Sequence, residues 1–518
     1  MRAMDSTQPV TVDVGAPTID DVVAVARHGA PVALSDAALA EIARTRDIVD
    51  GLVEDTKPHY GVSTGFGALA GRHIPPPLRA ELQRSLIRSH AAGSGSEVER
   101  EVVRAMMFLR LSTLATGRTG VRPETATAYA GLLCAGITPV VHEHGSLGCS
   151  GDLAPLAYCA LALMGEGPVR DRAGRERPAA EALAEAGIAP VTLAEKEGLA
   201  LINGTDGMLG MLALAIHDLR GLLTTADIAA AMSIEGLLGT DAVLAADLHA
   251  LRPHPGQALS AANMRAVLAG SPIVASHRGP EDTRVQDAYS LRCAPAVCGG
   301  ARDTLDHAAV VAERELHAAI DNPVITPDGR VESNGNFHGA PLAYVLDFLA
   351  VVAADVASIA ERRTDRFLDP ARSHGLPAFL AHDPGVDSGY MIAQYTQAAL
   401  VSDLKRLAAP ASVDSIPSSA MQEDHVSMGW SAGRKLRRAV DALIRVIAIE
   451  VLTASRGIQL RGHLEPARAT AAVIAEVHRE VAGPGPDRFL APDIEAVVDL
   501  VRSGRIRAAA EAVTGPLA

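Results

Sequence analysis

Gly145-Ser146-Leu147-Gly148-Cys149-Ser150-Gly151-Asp152-Leu153-Ala154-Pro155-Leu156 sets three glycines within seven residues and runs straight into an apolar segment. Backbone this rich in glycine reaches conformations closed to other residues. At its centre, Cys149-Ser150-Gly151 is a tripeptide of small residues followed at once by the carboxylate of Asp152. Such a stretch can make a tight turn, cradle an anion, present a nucleophilic serine or react with itself. A serine-hydrolase elbow needs Gly-x-Ser-x-Gly, whereas here Gly151 follows Ser150 directly. A phosphate loop closes on Gly-Lys-Ser/Thr, and this run does not. An ordinary loop remains open, and so does cyclisation. The Gly151 amide nitrogen is unhindered and stands two residues after the Cys149 carbonyl. Its attack there, with loss of two waters, one from the Ser150 hydroxyl, leaves an electrophilic methylidene on a five-membered imidazolone ring.

Outward from this stretch, the 518 residues are enough for a large buried core. Hydrophobic residues make up 48% and aromatics only 3%, so that core is built from Ala, Leu, Val and Ile, which favours packed helices over sheets. The net charge is −14, from 47 basic and 61 acidic residues, and without basic runs the chain has no electrostatic footprint for nucleic acid. Five cysteines, an odd and small number, point to a reducing, cytoplasmic setting rather than a disulfide framework. Cys293 and Cys298 lack a second pair at zinc-finger spacing. His142-Glu143-His144 alternates on what reads as an irregular, solvated segment, so no metal site is expected. Residues 1–17 are polar, lack a signal core and read as a loose tail. The apolar run 344–360 is interrupted by Asp347 and Asp355, so no membrane span is expected.

Helical spacing begins after Ser35, an N-cap candidate, and runs to about Glu54, with Pro58 ending it. A Gly-rich loop follows, Tyr60-Gly-Val-Ser-Thr-Gly-Phe-Gly67. Further helices are predicted over 77–90 and 97–116, the segment 124–134 leads into the Gly-rich stretch, and 170–190 reads as an exposed excursion. From 208 onward the pattern is long helices: 208–238, 301–319, 339–364 and 391–408. Leu436, Val440, Leu443, Ile444, Ile447 and Val451 form a stripe at helical spacing, with Gly457 near its end. No repeat or low-complexity linker separates independent domains. The predicted fold is all-α: a loop-rich N-terminal region (1–207) and a long-helix bundle with a C-terminal helical region (208–518), forming one integrated unit.

Gly148-Cys149-Ser150-Gly151-Asp152-Leu153-Ala154-Pro155-Leu156 resembles the signature of the aromatic amino acid ammonia-lyases, which use a 4-methylidene-imidazol-5-one (MIO) group and share an ammonia-lyase/fumarase-like fold. Tyr60–Gly67 resembles the family's active-site loop. Gly198-Leu-Ala-Leu-Ile-Asn-Gly-Thr205, Tyr289-Ser-Leu-Arg-Cys293, Asp321-Asn-Pro-Val324 and Gly335-Asn-Phe-His338 match in order, so the resemblance spans the chain from about residue 20. Ser89-His90 and Gln422-Glu423-Asp424-His425-Val426-Ser427-Met428 are similar to the histidine branch. An imidazole needs polar partners, and His90 and Glu423 can bond its two nitrogens.

What the resemblance implies is elimination of ammonia from L-histidine to give trans-urocanate. The MIO would form from Cys149, Ser150 and Gly151, with no metal or external cofactor. Tyr60 is the first candidate base, with Glu423 as the group to which a proton passes. Arg292 would take the substrate carboxylate with its planar fork, assisted by Asn336. Asn203 and Tyr289 would support the MIO and the amine, and Gln286 and Phe337 would line the site. Family members are tetramers whose sites combine several subunits, so a homotetramer acting on a small amino acid is expected. Alternatives are a 2,3-aminomutase, a lyase for another aromatic amino acid, and a catalytically inert helical scaffold. The chain departs from the family pattern at Cys149, usually alanine, and at Asp206, Ala288, Ala296 and Met421.

Overall fold

The computed structural model describes residues 8–518 apart from Glu54, Thr56, Pro280, Glu281 and Thr283. Helices dominate, and the strands are short, forming small sheets of two or three strands among the described residues. The all-α expectation holds in this sense. The chain forms two compact units, both discontinuous in sequence. One comprises Met1–His217, Ala309–Asp347 and Pro410–Arg434; the other comprises Asp218–Ala308, Phe348–Ala409 and Lys435–Ala518.

In the first unit the Arg100–Ala115 helix is the core element, with every residue from Val102 to Ala115 buried. A helix covered on all sides must satisfy any charge it carries. Arg104 does so on the carbonyls of Val25 and Leu133, and Arg110 on those of Ala200, Asn203 and Ile320. The predicted helix over 97–116 starts later than expected. Ser94–Glu97 is instead a strand paired with His142–His144, so this triplet is extended backbone rather than an irregular loop. The tail reading of 1–17 also needs correction. Val10–Val12 pairs in parallel with Val32–Leu34, with Val12 and Val32 both buried, while residues 1–7 lie outside the described set. The Asp36–Val53 helix starts where Ser35 accepts from the Ala38 N–H, and the predicted end at Glu54 lies outside the described residues. Part of the 170–190 excursion is ordered as a hairpin, Pro168–Arg170 with Glu176–Pro178, followed by the Ala179–Glu185 helix.

The second unit is built on long helices. All six residues of the 436–451 stripe are buried. Gly457 stands near the end of its helix, which finishes at Gln459. A Cβ at Gly457 would lie 2.5 Å from the Phe367 ring, and one at Gly236 would lie 2.8 Å from the same ring. These glycines exist to admit Phe367, a packing role that a helix-end reading misses. The Asp206–Gly236 and Ala340–Leu368 helices have the length and hydropathy of membrane spans. Yet 78% and 61% of their apolar windows are buried inside the protein, so packing already satisfies most of that surface.

Candidate active site

The Gly-rich stretch is held in place by three segments of the first unit. Gly339 N–H donates to the Gly148 carbonyl at 3.0 Å, Ser427 Oγ donates to the same oxygen at 2.7 Å, and Met428 N–H donates to the Leu147 carbonyl at 2.9 Å. Asp152 N–H donates to the Gly204 carbonyl at 2.7 Å. Gly148 and Gly151 both have left-handed φ, +65° and +73°, and a Cβ on Gly151 would fall 2.1 Å from the Gly204 oxygen. Glycine is required twice over here, by conformation and by the close backbone approach. The Asp152 carboxyl accepts from Ser146 Oγ at 2.8 Å and from Met208 N–H at 2.9 Å, and its complete burial raises its pKa to about 7.

Around Ser150 the first unit gathers most of the predicted residues. Asn203 Nδ2 donates to the Ser150 carbonyl at 2.6 Å, and Asn203 is itself fixed by Arg110 Nη1 on its own carbonyl at 3.1 Å. Arg110 also pairs with buried Asp206 at 3.2 Å. Asp206, one of the departures from the family pattern, therefore acts on Asn203 through Arg110. Glu423 faces the tripeptide directly: Ser150 Oγ donates to Oε1 at 3.2 Å, and the Cys149 thiol donates to Oε2 at 3.2 Å. Burial, with Glu423 beside it, pushes the Cys149 thiol up to about 12, so it stays protonated as a donor.

His90 ends the Arg79–His90 helix, where Nδ1 lies 2.9 Å from the Leu86 carbonyl. A carbonyl only accepts, so Nδ1 carries the proton and Nε2 keeps a free lone pair. Burial lowers the His90 pKa, and the Leu86 carbonyl and Glu423 oppose that shift. Ser89 Oγ donates to the same Leu86 carbonyl at 3.0 Å and lies 3.1 Å from His90 Nδ1. Tyr60 OH accepts from Gly67 N–H at 3.1 Å. Burial raises its pKa above the ordinary 10, Gly67 pulls the other way, and the Glu423 and Asp321 carboxylates add to the rise. Glu423 is thus bonded to Cys149 and Ser150, and its charge also bears on His90 and Tyr60.

Asn336 and Phe337 sit on the loop just before Gly339, with Asn336 exposed and Phe337 half-buried. Gln286, Tyr289 and Arg292 belong to the second unit. There Tyr289 is 71% exposed, and the Arg292 guanidinium stacks 4.7 Å from its ring centre.

Several contributors were not foreseen from sequence. Ser418 Oγ donates to Glu423 Oε2 at 3.0 Å, and Ser418 and Glu423 pair as an isolated bridge. Ser419, Ala420 and Met421 all take left-handed φ, one residue short of Glu423, a costly backbone of the kind that persists where the surroundings fix it. The His338 and His425 rings stack at 5.5 Å beside the same loop. Asp152 was visible, since it follows Gly151 in the motif, but its place behind the loop was not.

The aromatic amino acid lyase family profile matches residues 18–479. The chain belongs to the aromatic amino acid lyase family. Among members of this lyase family, histidine ammonia-lyase of Streptomyces griseus is 67% identical over 512 residues, covering 98% of this chain and 99% of that protein. The crystal structure of histidine ammonia-lyase from Trypanosoma cruzi is 40% identical, with a TM-score of 0.90 over 98% of this chain and 96% of that one. Tyrosine aminomutase from Streptomyces globisporus is 38% identical, with a TM-score of 0.93 over 98% and 100% of the two chains. This chain is an ammonia-lyase by family and by its likeness to the lyases at full length.

Proposed function

We propose that the chain eliminates ammonia from L-histidine to give trans-urocanate, using an MIO made from Cys149, Ser150 and Gly151. The observation that carries this reading is Glu423, poised 3.2 Å from Ser150 Oγ and bearing electrostatically on His90. A phenyl side chain would leave both polar groups unpaired at a cost, whereas an imidazole matches them. The tripeptide fits the proposed ring. Gly151 has no Cβ to obstruct its nitrogen, its left-handed φ folds the segment, and Asn203 already holds the Ser150 oxygen that such a ring retains. That group supplies an electrophilic methylidene carbon for the substrate's α-amino group.

The remaining work falls to side chains. Asn203 Nδ2 is a preorganised donor at Ser150 O, where carbonyl charge gathers. Neutral His90 accepts one imidazole N–H at Nε2, and Glu423 accepts the other when the substrate ring carries both protons. Cys149 and Ser418 hold Glu423 Oε2, so the carboxyl is oriented from behind. Tyr60 takes the β-proton. Its raised pKa means that it needs a nearby cation or a relay to Glu423 to work at neutral pH. Arg292 takes the substrate carboxylate, with Asn336 assisting, Tyr289 supports the amine, and Gln286 and Phe337 line the site. We infer a homotetramer with active sites combining residues of several subunits; the exposure of Tyr289 on its unit supports this. A small amino acid is then its partner, and five unpaired cysteines suit the cytoplasm. Incubation with L-histidine, followed by product analysis, tests the reading. Urocanate and ammonia in equal amounts are expected. Accumulation of β-histidine would assign a 2,3-aminomutase, and faster turnover of tyrosine or phenylalanine would assign another branch.

A further inference from the structure

The first unit holds a second concentration of charge, invisible as a run in the sequence. Arg27, Arg100 and Arg104 (one turn apart on the Arg100–Ala115 helix) and Arg172 come from three separate places in the chain and line one cleft of about 430 Å³, together with His28 and Glu101. That volume lies within the roughly 300–1,000 Å³ typical of small-molecule sites. The carboxylate in this lining, Glu101, is engaged by Arg27 Nε at 2.7 Å. The other guanidiniums are anchored on neutral backbone carbonyls. Arg104 bonds Val25 and Leu133, Arg100 bonds Gly136 at 3.1 Å and Arg172 at 3.1 Å, and Arg172 bonds Cys134 at 2.6 Å.

These bonds orient the planar forks but cancel none of their charge. Each guanidinium has five N–H groups. The carbonyls use three on Arg104, two on Arg100 and one on Arg172, leaving donors spare. Arg104 is 3% exposed, and burial together with Arg100 and Arg172 pushes its pKa down to about 10. Like charges gathered at a half-enclosed site, in a chain of net charge −14, are unfavourable unless an anion joins them. Rigid forks with spare donors match phosphate oxygens bidentately.

We propose that this cleft binds a phosphate-bearing anion, either inorganic phosphate or the phosphate of a small metabolite. Isothermal titration of the full chain at fixed ionic strength tests it, with sodium phosphate in one arm and a nucleoside diphosphate in the other. Saturable binding, one per chain, is expected, and it should weaken at least tenfold in the Arg100→Gln/Arg172→Gln double variant. Both side chains are exposed, so the fold should survive, as circular dichroism will show. Should the pair disturb folding, Arg100→Gln alone carries the same expectation with a smaller loss. Tighter binding of the nucleotide assigns the site to a metabolite, and equal affinity assigns it to free phosphate. Absence of saturable binding in both arms, or affinity unchanged in the variants, overturns the proposal.

Discussion

At the scale of single residues the site turns on who holds Glu423. The Cys149 thiol and the Ser418 hydroxyl share Oε2, while Ser150 occupies Oε1. In the proposed MIO, Ser150 would have no hydroxyl, leaving Oε1 free for substrate with Oε2 still held. A thiol is a weak donor, and a neutral hydrogen bond contributes about 0.5–1.5 kcal/mol. Cys149→Ala should therefore lower turnover by a factor of about 2–10, and Cys149→Ser should restore it. Loss of all activity in Cys149→Ala would mean that the thiol does more than orient Glu423. Asn203 has the larger role, because its donor is fixed where charge develops. Asn203→Ala should cost about 10²–10³ in kcat with a smaller change in KM, and a pure KM effect would remove it from the chemistry. His90 sets the acid side. Burial lowers its pKa below the ordinary 6.5, and Nε2 accepts only when neutral. Activity is thus retained above 6.5 and lost as pH falls through the lower folded value. In kcat/KM profiles, His90→Asn should erase that step and leave only the titration of the substrate imidazole near about 6.5. An unchanged profile would exclude His90 from substrate binding.

At the scale of elements, propensity and packing oppose one another. Alanine is better than glycine inside a helix by about 1 kcal/mol. At position 457, however, the added methyl would meet the Phe367 ring at 2.5 Å, and overpacking costs about 1–3 kcal/mol. Gly457→Ala should lower the calorimetric unfolding temperature, whereas a rise would show that the ring moves aside freely. The same conflict explains what could be read from sequence. The 391–408 and 208–238 patterns carry their own periodicity and appear as Met391–Leu407 and Asp206–Gly236. Pairing of Ser94–Glu97 with His142–His144 depends on segments far apart in the chain, and periodicity is blind to it. The site was legible in a similar way. The family resemblance pointed to Ser150, Asn203, His90 and Glu423, and the backbone brings Asn203 and Glu423 to Ser150. Ser418, the left-handed run Ser419–Met421 and the Arg110 anchor of Asn203 emerge only once the backbone brings them together.

At the scale of the whole molecule, one of the two units gathers distant parts of the chain around the Gly-rich stretch. The Gly145–Leu156 stretch is strapped by residues 204, 339, 427 and 428, which come from three distant parts of the chain. Such bracing suits a segment that must be held in a folded-back conformation long enough to react with itself. It also explains the tolerance of Cys149 in place of alanine, since that side chain points to Glu423 rather than into the cyclising backbone. The most direct test is the mass of the proteolytic peptide spanning Cys149, Ser150 and Gly151 from the purified chain. A peptide lighter than its encoded mass by two waters is predicted, with the full encoded mass returning in Ser150→Ala. A wild-type peptide at its full encoded mass, in a preparation that still converts L-histidine, would contradict the account.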